Sequence, residues 1–250
     1  MSTETAEPQA PAAEAPPKKN VFARIAGVLF TPAETFKEIA QRPDVLAPML
    51  VMLAVGFLTA VLIVPRLDID ALMAAQSEQM RAKQPNMTDA DLERIERFAA
   101  ASTKVLTWLS PFFSILFYVV VAAVLLFAFR LMAGEGNFTQ ALSVTLYAWT
   151  PLLLFSVVMT IVVVARGAFD PTTAASLVKS NPAFLVEQKE QPVLYSLLSS
   201  LDVFTFWSLF LFILGFGTMS KLPKATAATI VIGLWLAFVV VKLGFAAMNA

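Results

Sequence analysis

Five apolar runs of about 20 residues alternate with polar segments along this 250-residue chain. A helix of about 20 residues crosses a hydrocarbon core of about 30 Å, so each run predicts a transmembrane helix. The predicted spans are about 46–64, 108–130, 141–164, 198–219 and 225–246. The pattern predicts an all-α fold: a polytopic membrane helical bundle with five transmembrane helices and amphipathic N-terminal helices.

The segment ahead of the first span divides into two parts. Residues 1–19 are rich in Pro, Ala and Glu, and we expect a disordered tail because they carry too little apolar surface to offset chain entropy. Residues 20–45 are predicted to form amphipathic interfacial helices, since an apolar face at helical spacing lies beside basic residues. Thr31-Pro32-Ala33-Glu34 signals the start of the second helix. Packing of these helices on the bundle itself is the open alternative.

Two polar segments, 65–107 and 165–197, interrupt the predicted five-span domain, which covers 46–248. The first is expected to be a solvated helical hairpin, broken at Gln84-Pro85-Asn86 and restarted at Thr88. Its charges of both signs are interspersed, and its acidic residues lack the Gly turn and the ligand spacing of a calcium-binding loop. We therefore predict polar helical loops and no metal site.

The tight polar turn 134–137 returns the chain directly into the third apolar run. The second and third spans are therefore predicted to form an antiparallel hairpin. Pro151 lies inside the third span, where it is expected to kink the helix and free a carbonyl group. In lipid, that carbonyl needs a partner from neighbouring protein.

The amino-acid composition limits the partners, ligands and reactions that this chain can have. The chain is 58% hydrophobic and only 14% charged, with no net charge, so nucleic acid is not an expected partner. Cys and His are both absent, which removes thiol nucleophiles, histidine bases and zinc or haem ligation by these residues. No catalytic motif is present. We expect no enzyme activity, no catalytic residues, no cofactor and no metal.

Polar and aromatic positions within the spans are the candidate functional positions, because such residues mark function in membrane proteins. They are Asp202, Tyr147, Trp149 and Pro151. Asp202 near a helix start can complement the helix dipole or take part in proton or ion movement. Tyr147 and Trp149 are candidates for packing or for a ligand platform, and Pro151 for a structural kink or a gate. Lys242 and Arg130 lie near span ends, where long side chains snorkel to the interface.

Charges close to the span ends predict the orientation. Cations cluster over 18–42 ahead of the first span, and Lys221 and Lys224 occupy the last short turn. Because such cations favour the cytoplasmic side, we expect a cytoplasmic N-terminus and a C-terminus on the opposite side.

Three stretches carry a family resemblance: FTPAETFKEIAQRPDVLAPML (30–50), GEGNFTQALSVTLYAWTP (134–151) and LDVFTFWSLFLFILGFG (201–217). The chain resembles the Yip domain family, the Ypt/Rab-interacting five-helix integral membrane proteins, in its bacterial branch. The resemblance implies a cytosolic N-terminus and, in eukaryotic relatives, partnership with small GTPases and other Yip proteins in vesicle traffic. This chain has no long ordered cytosolic domain and no Asp-Leu-Tyr-type motif, which counts against small-GTPase binding.

The leading functional hypothesis is a non-enzymatic integral membrane protein of the bacterial inner membrane that organises the membrane or binds other proteins. Its expected partners are the lipid bilayer and other membrane proteins or a second copy of the chain. The alternative is a small transporter or channel subunit, with a path near Asp202 and the kinked third span.

Overall fold

The computed structural model describes residues 20–167, 177–188 and 190–248. The predicted disordered tail, residues 1–19, lies outside the described residues, as does part of the second polar loop. The α-helices of the described part are α1 (Val21–Phe30), α2 (Pro32–Gln41), α3 (Leu46–Ile63), α4 (Ile69–Lys83), α5 (Asp89–Leu131), α6 (Phe138–Ala148), α7 (Thr150–Arg166), α8 (Pro192–Leu198), α9 (Val203–Ser220) and α10 (Lys224–Met248). Short 3-10 turns occupy Val64–Arg66 and Pro182–Leu185.

Within this described part, five segments are long and apolar enough to cross a membrane. They are Leu46–Arg66, Asp89–Leu131, Phe138–Arg166, Val203–Ser220 and Lys224–Met248. They correspond to α3, α5, α6 with α7, α9 and α10. The prediction of an all-α polytopic bundle with five transmembrane helices is confirmed.

Helix α5 differs most from the predicted boundaries. The sequence pattern separates a loop helix from a span beginning at 108, whereas α5 runs through 43 residues without interruption. Pro111 lies inside this helix, packed against Gly56 of α3. The Ser110 hydroxyl donates to the Thr107 carbonyl at 2.8 Å, and that carbonyl is the acceptor that an N–H at Pro111 would have used. The loop helix and the second span are therefore one continuous helix.

The fourth span begins later than predicted. The apolar run starts near 198, but α9 begins at Val203 because Asp202 is its N-cap. The residues just ahead of it belong to the short helix α8 and a turn. The sequence pattern merged this short helix with the span because both are apolar.

The N-terminal hairpin, formed by α1 and α2, packs on the bundle through a glycine contact. Its buried face meets α6 and α9. A Cβ atom at Gly215 of α9 would lie 2.5 Å from Val144 Cγ1 and 2.9 Å from Phe36 Cε1, so only glycine allows this approach. On the outer face of α1, Phe22 and Phe30 are 68% and 82% exposed. Packing on the bundle thus buries the inner face of the hairpin, and the outer face of α1 remains exposed and apolar.

The bundle has two distinct ends. The near end carries the N-terminal hairpin and the two tight turns, where the Glu135 N–H donates to the Ser220 carbonyl at 3.0 Å. The far end carries α4, the first part of α5, and the segment that contains α8.

Candidate functional site

The third span breaks at Trp149, and the break is stabilised locally. Trp149 has φ −79° and ψ 0°, ending α6, and Pro151 occupies the first turn of α7. Pro151 has no N–H for the Tyr147 carbonyl. The Thr150 hydroxyl donates to that carbonyl at 2.6 Å instead. The predicted need for a neighbouring partner is therefore met by the adjacent residue, in the same way as at Ser110-Pro111.

Helix α6 is hydrogen-bonded to the end of α2 and to the linker that follows it. Its N-terminus has a capping box between Asn137 and Gln140. Gln140 Nε2 also donates to the Ala40 carbonyl at 2.7 Å. The Ser143 hydroxyl donates to the Asp44 carbonyl at 3.0 Å and accepts from the Asp44 N–H at 3.1 Å. These bonds fix the position of α2 and the start of α3 against α6.

Tyr147 lies beside a buried ion pair that joins the two helices of the hairpin. Arg24 of α1 is fully buried, and its Nη2 and Nε lie 3.2 and 3.3 Å from Glu38 Oε1 on α2. The Tyr147 hydroxyl faces this guanidinium. Among the residues that the structure describes, Arg24 Nη1 and Tyr147 Oη have no hydrogen-bond partner of ordinary geometry. A charge in an apolar setting is costly unless paired, so Glu38 is what makes the burial of Arg24 tolerable.

Trp149 belongs to an aromatic cluster on another side of the third span. Its ring centroid lies 5.3 Å from that of Phe212, 5.7 Å from Tyr118 and 6.0 Å from Phe117. The Phe212 contact is edge-on, a favourable aromatic geometry. Beside the cluster runs a groove of about 510 Å³, lined by Ser110, Phe113, Ser114, Phe117, Tyr118, Trp149 and Leu152. We call this the α5–α7 groove.

Asp202 is a helix cap. Its Oδ1 accepts from the N–H groups of Phe204 and Thr205 at 2.9 and 3.1 Å. A carboxylate in this place neutralises the positive end of the α9 dipole and satisfies two otherwise unpaired donors. The geometry corresponds to the structural alternative for this residue.

Lys242 holds the far end of the bundle together. Its ammonium group donates to Ser199 Oγ at 2.8 Å, Ser200 Oγ at 3.0 Å and the Ser196 carbonyl at 3.1 Å. The expected snorkelling of Lys242 to the interface is thus replaced by internal bonds to the end of α8. Tyr195, one residue before Ser196, is half-buried, and this burial raises the pKa of its phenol above the ordinary value.

Arg130, the other cation near a span end, contacts the near-end turn. Its Nη2 donates to the Gly136 carbonyl. Exposed Lys221 and Glu135 form an ion pair at 2.6 Å between the two near-end turns. These contacts hold the turns together.

Comparison with known protein families identifies the domain. The family model of the Yip1 domain matches residues 26–245, nearly all of the described chain. The chain belongs to the Yip1 domain family. Comparisons with curated proteins and with solved structures gave no match. The match confirms the family resemblance found in the sequence, and the Yip1 family is not a known enzyme family.

The structure of this Yip1 domain does not bring the candidate positions together. Tyr147 faces Arg24 and the N-terminal hairpin, Trp149 faces the α5–α7 groove, and Asp202 caps α9 at the far end. Tyr147 and Asp202 do not line the groove. The transporter alternative required Asp202 and the kinked span to share a path, and no observation favours it.

Two features of this Yip1 domain were missed from the sequence: the buried Arg24–Glu38 pair and the bonds of Lys242. A lone Arg within the apolar stretch Val21–Phe30 was one available signal, because a charge there needs a partner. Lys242 in an apolar helix gave a similar signal. Neither signal identified the partner, since the Ser196, Ser199 and Ser200 bonds cross more than 40 positions of sequence.

Proposed function

We propose that this Yip1 domain protein is a non-enzymatic membrane-organising or protein-interaction factor. The observation that carries the proposal is the length of α5. At 1.5 Å per residue, its 43 residues extend about 64 Å, roughly twice the hydrocarbon thickness of about 30 Å. The part of α5 that exceeds this thickness is 89–107. It extends about 28 Å beyond Trp108 and offers a surface to other proteins.

The surplus part of α5 is stiffened by α4, and we call the pair the far-end arm. Met73 of α4 and Leu92 of α5 are both buried. The Ser77 hydroxyl donates to Glu96, and Arg81 pairs with Asp89 at 2.7 Å. A paired arm is better suited to binding than a single helix, because less conformational entropy is lost when a partner docks.

Phe98 is the strongest contact position on the arm. It is 75% exposed, beyond the part of α5 that lipid would cover. Aromatic side chains supply much of the energy of protein–protein contacts, so an exposed Phe on a stiff arm supports an interaction role. The partner class we propose is another membrane protein or a second copy of this chain. We propose no small-GTPase partner and no cofactor.

Photo-crosslinking in native membranes tests the interaction role. A photoreactive phenylalanine analogue at Phe98 is compared with the same analogue at Arg97, which is exposed on a neighbouring face of α5. The proposal expects discrete adducts from position 98 that are weak or missing from position 97. Recovery of monomer alone from both positions would remove the support for an interaction role.

The N-terminal hairpin supports a second part of the proposal, contact with the membrane surface. Phe22 and Phe30 are exposed on α1, while Lys37 and Arg42 are exposed on α2 and its end. Apolar and basic residues on neighbouring helices are typical of segments lying in the headgroup layer. We propose that residues 20–45 lie at that interface while their inner face packs on the bundle.

We also propose that the near end faces the cytoplasm of a bacterial inner membrane. The basic residues of the hairpin and of the last short turn support this orientation. The chain has no Cys, so one introduced Cys gives a unique label. Gln41→Cys at the near end and Asn86→Cys at the far end are both exposed. From outside the membrane, an impermeant maleimide should label position 86 and spare position 41; the reverse would refute the orientation.

A further inference from the structure

The α5–α7 groove exists because of the break in the third span. Helix α6 packs against α5, whereas after the break α7 packs against α3 and α9. The chain therefore turns away from α5 at Trp149, and a concave surface opens between α5 and α7. Its volume of about 510 Å³ lies within the range of about 300–1,000 Å³ that small-ligand sites have.

The groove is about as long as one leaflet of a bilayer is thick. Tyr118 lies about 20 Å from the near end of α5, and Ser110 about 12 Å farther, at 1.5 Å per residue. Trp149 lies about 17 Å from the start of α6, close to the middle of a hydrocarbon core of about 30 Å. These lengths place the groove between mid-bilayer and the far interface, and the half-exposed Trp108 lies two residues beyond its Ser110 end.

The groove wall is mostly apolar although it contains two serines. The Ser110 hydroxyl donates to the Thr107 carbonyl at 2.8 Å, and the Ser114 hydroxyl to the Ser110 carbonyl at 3.0 Å. Both donors are therefore used within α5. The remaining lining is aromatic or aliphatic: Phe113, Phe117, Tyr118, Trp149 and Leu152. Trp149 Nε1 is a buried donor without a hydrogen-bond partner among the described residues. Because this nitrogen is buried, the ring carbons of Trp149 form its part of the groove wall.

We propose that the α5–α7 groove binds one acyl chain of a diacyl lipid from the far leaflet, with its methyl end against Trp149. Two observations favour an acyl chain over a helix of another protein. A partner helix that crosses the bilayer would extend past the mid-bilayer end of this groove, whereas an acyl chain of one leaflet ends there. The groove also matches the length of one leaflet and offers no free serine donor.

Trp149 provides the optical test. The chain has four Trp, so replacing Trp108, Trp207 and Trp235 by Phe leaves Trp149 as the reporter. The protein is reconstituted in phosphatidylcholine bilayers whose acyl chains carry bromine near the methyl end or near the ester. The proposal expects stronger quenching by bromine near the methyl end. Equal quenching by both lipids, or stronger quenching by ester-end bromine, would overturn it.

A blocking variant separates the groove from general lipid contact. Ser114→Phe fills the groove, whereas Ala123→Phe adds the same ring at an exposed α5 position outside it. The proposal expects Ser114→Phe to lose most of the quenching and Ala123→Phe to retain it. Equal quenching in the two variants would refute a seated chain.

Native mass spectrometry of the otherwise unaltered chain gives a measurement that does not depend on the Trp replacements. The unaltered protein and Ala123→Phe should each retain one more lipid than Ser114→Phe, and equal retention by all three would refute the site.

Ser114→Cys tests the competing occupant, because disulfide-linked dimers in oxidising membranes would place a second copy in the groove. Crosslinking at Phe98 does not depend on this lipid. If the groove binds no lipid, the interaction role is therefore still decided by the Phe98 experiment.

Discussion

The buried Arg24–Glu38 pair gives a quantitative prediction about the N-terminal hairpin. Glu38→Gln keeps the side-chain shape but leaves the guanidinium without its carboxylate. Breaking one partner of a buried pair costs about 3–5 kcal/mol. Because Glu38 is 22% exposed and water can partly reach the site, we expect about 3 kcal/mol, the lower end of that range. The double replacement Arg24→Met with Glu38→Leu removes both charges and should recover most of the loss.

Two measurements check this prediction. Unfolding of purified protein in a denaturing detergent reports the free energy of unfolding for each variant. A single Cys at Thr35, which is fully buried in α2, reports opening of the hairpin through its reaction with maleimide. A loss of about 3 kcal/mol would raise the labelling rate by about two orders of magnitude if the hairpin opens locally.

The exposed Lys221–Glu135 pair is the matched control. Its side chains are 71% and 62% exposed, so Glu135→Gln should cost less than about 1 kcal/mol. The reasoning is refuted if Glu38→Gln costs no more than Glu135→Gln. It is also refuted if the apolar double replacement is as unstable as Glu38→Gln, since the cost would then not arise from an unpaired charge.

Three further predictions concern single contacts. Gly215→Ala places a Cβ atom 2.5 Å from a neighbouring methyl group and should cost about 1–3 kcal/mol of unfolding free energy, whereas Gly244→Ala, with no atom within 4 Å, should cost nothing. Thr150→Val removes the hydroxyl that bonds the carbonyl opposite the proline, and it should cost about 1–3 kcal/mol in the same assay. The control Thr229→Val, on the exposed face of α10, should cost less than about 0.5 kcal/mol. Lys242→Met removes three hydrogen bonds to the end of α8 and should increase amide exchange over 192–200, and unchanged exchange would contradict the contact.

Several local features could be predicted because their causes are local. The break at Pro151 follows from the missing N–H of one residue. A role for Asp202 at the positive end of a helix dipole follows from its place near the start of an apolar run. The hydrogen bonds around both residues correspond to these structural alternatives, although the pattern places Asp202 one turn inside the span and in the structure it is the N-cap. The choice between these and the functional alternatives depended on what surrounds each residue, which the sequence does not give.

Helix boundaries were less predictable where a proline could either end a helix or lie inside a continuous one. At Ser110-Pro111 and at Thr150-Pro151 the sequence signal is the same, a hydroxyl residue followed by proline. In both, the hydroxyl bonds the freed carbonyl, yet α5 continues and the third span breaks. Pro111 packs against Gly56 of a neighbouring helix, whereas Trp149 is held in its aromatic cluster. Packing of the surrounding helices decided the outcome.

Hydrophobic runs of membrane-spanning length determine five helices in this chain, because lipid cannot hydrogen-bond to the backbone and the helix satisfies its own groups. The short polar turns between the second and third and between the fourth and fifth spans then dictate antiparallel neighbours. Only the tertiary structure decided where the charges and grooves lie. Arg24 is buried because Glu38 and Tyr147 converge on it from other helices, and the α5–α7 groove opens because α7 leaves α5 for α3 and α9. These features arise from contacts between distant parts of the chain, which no local pattern of residues specifies.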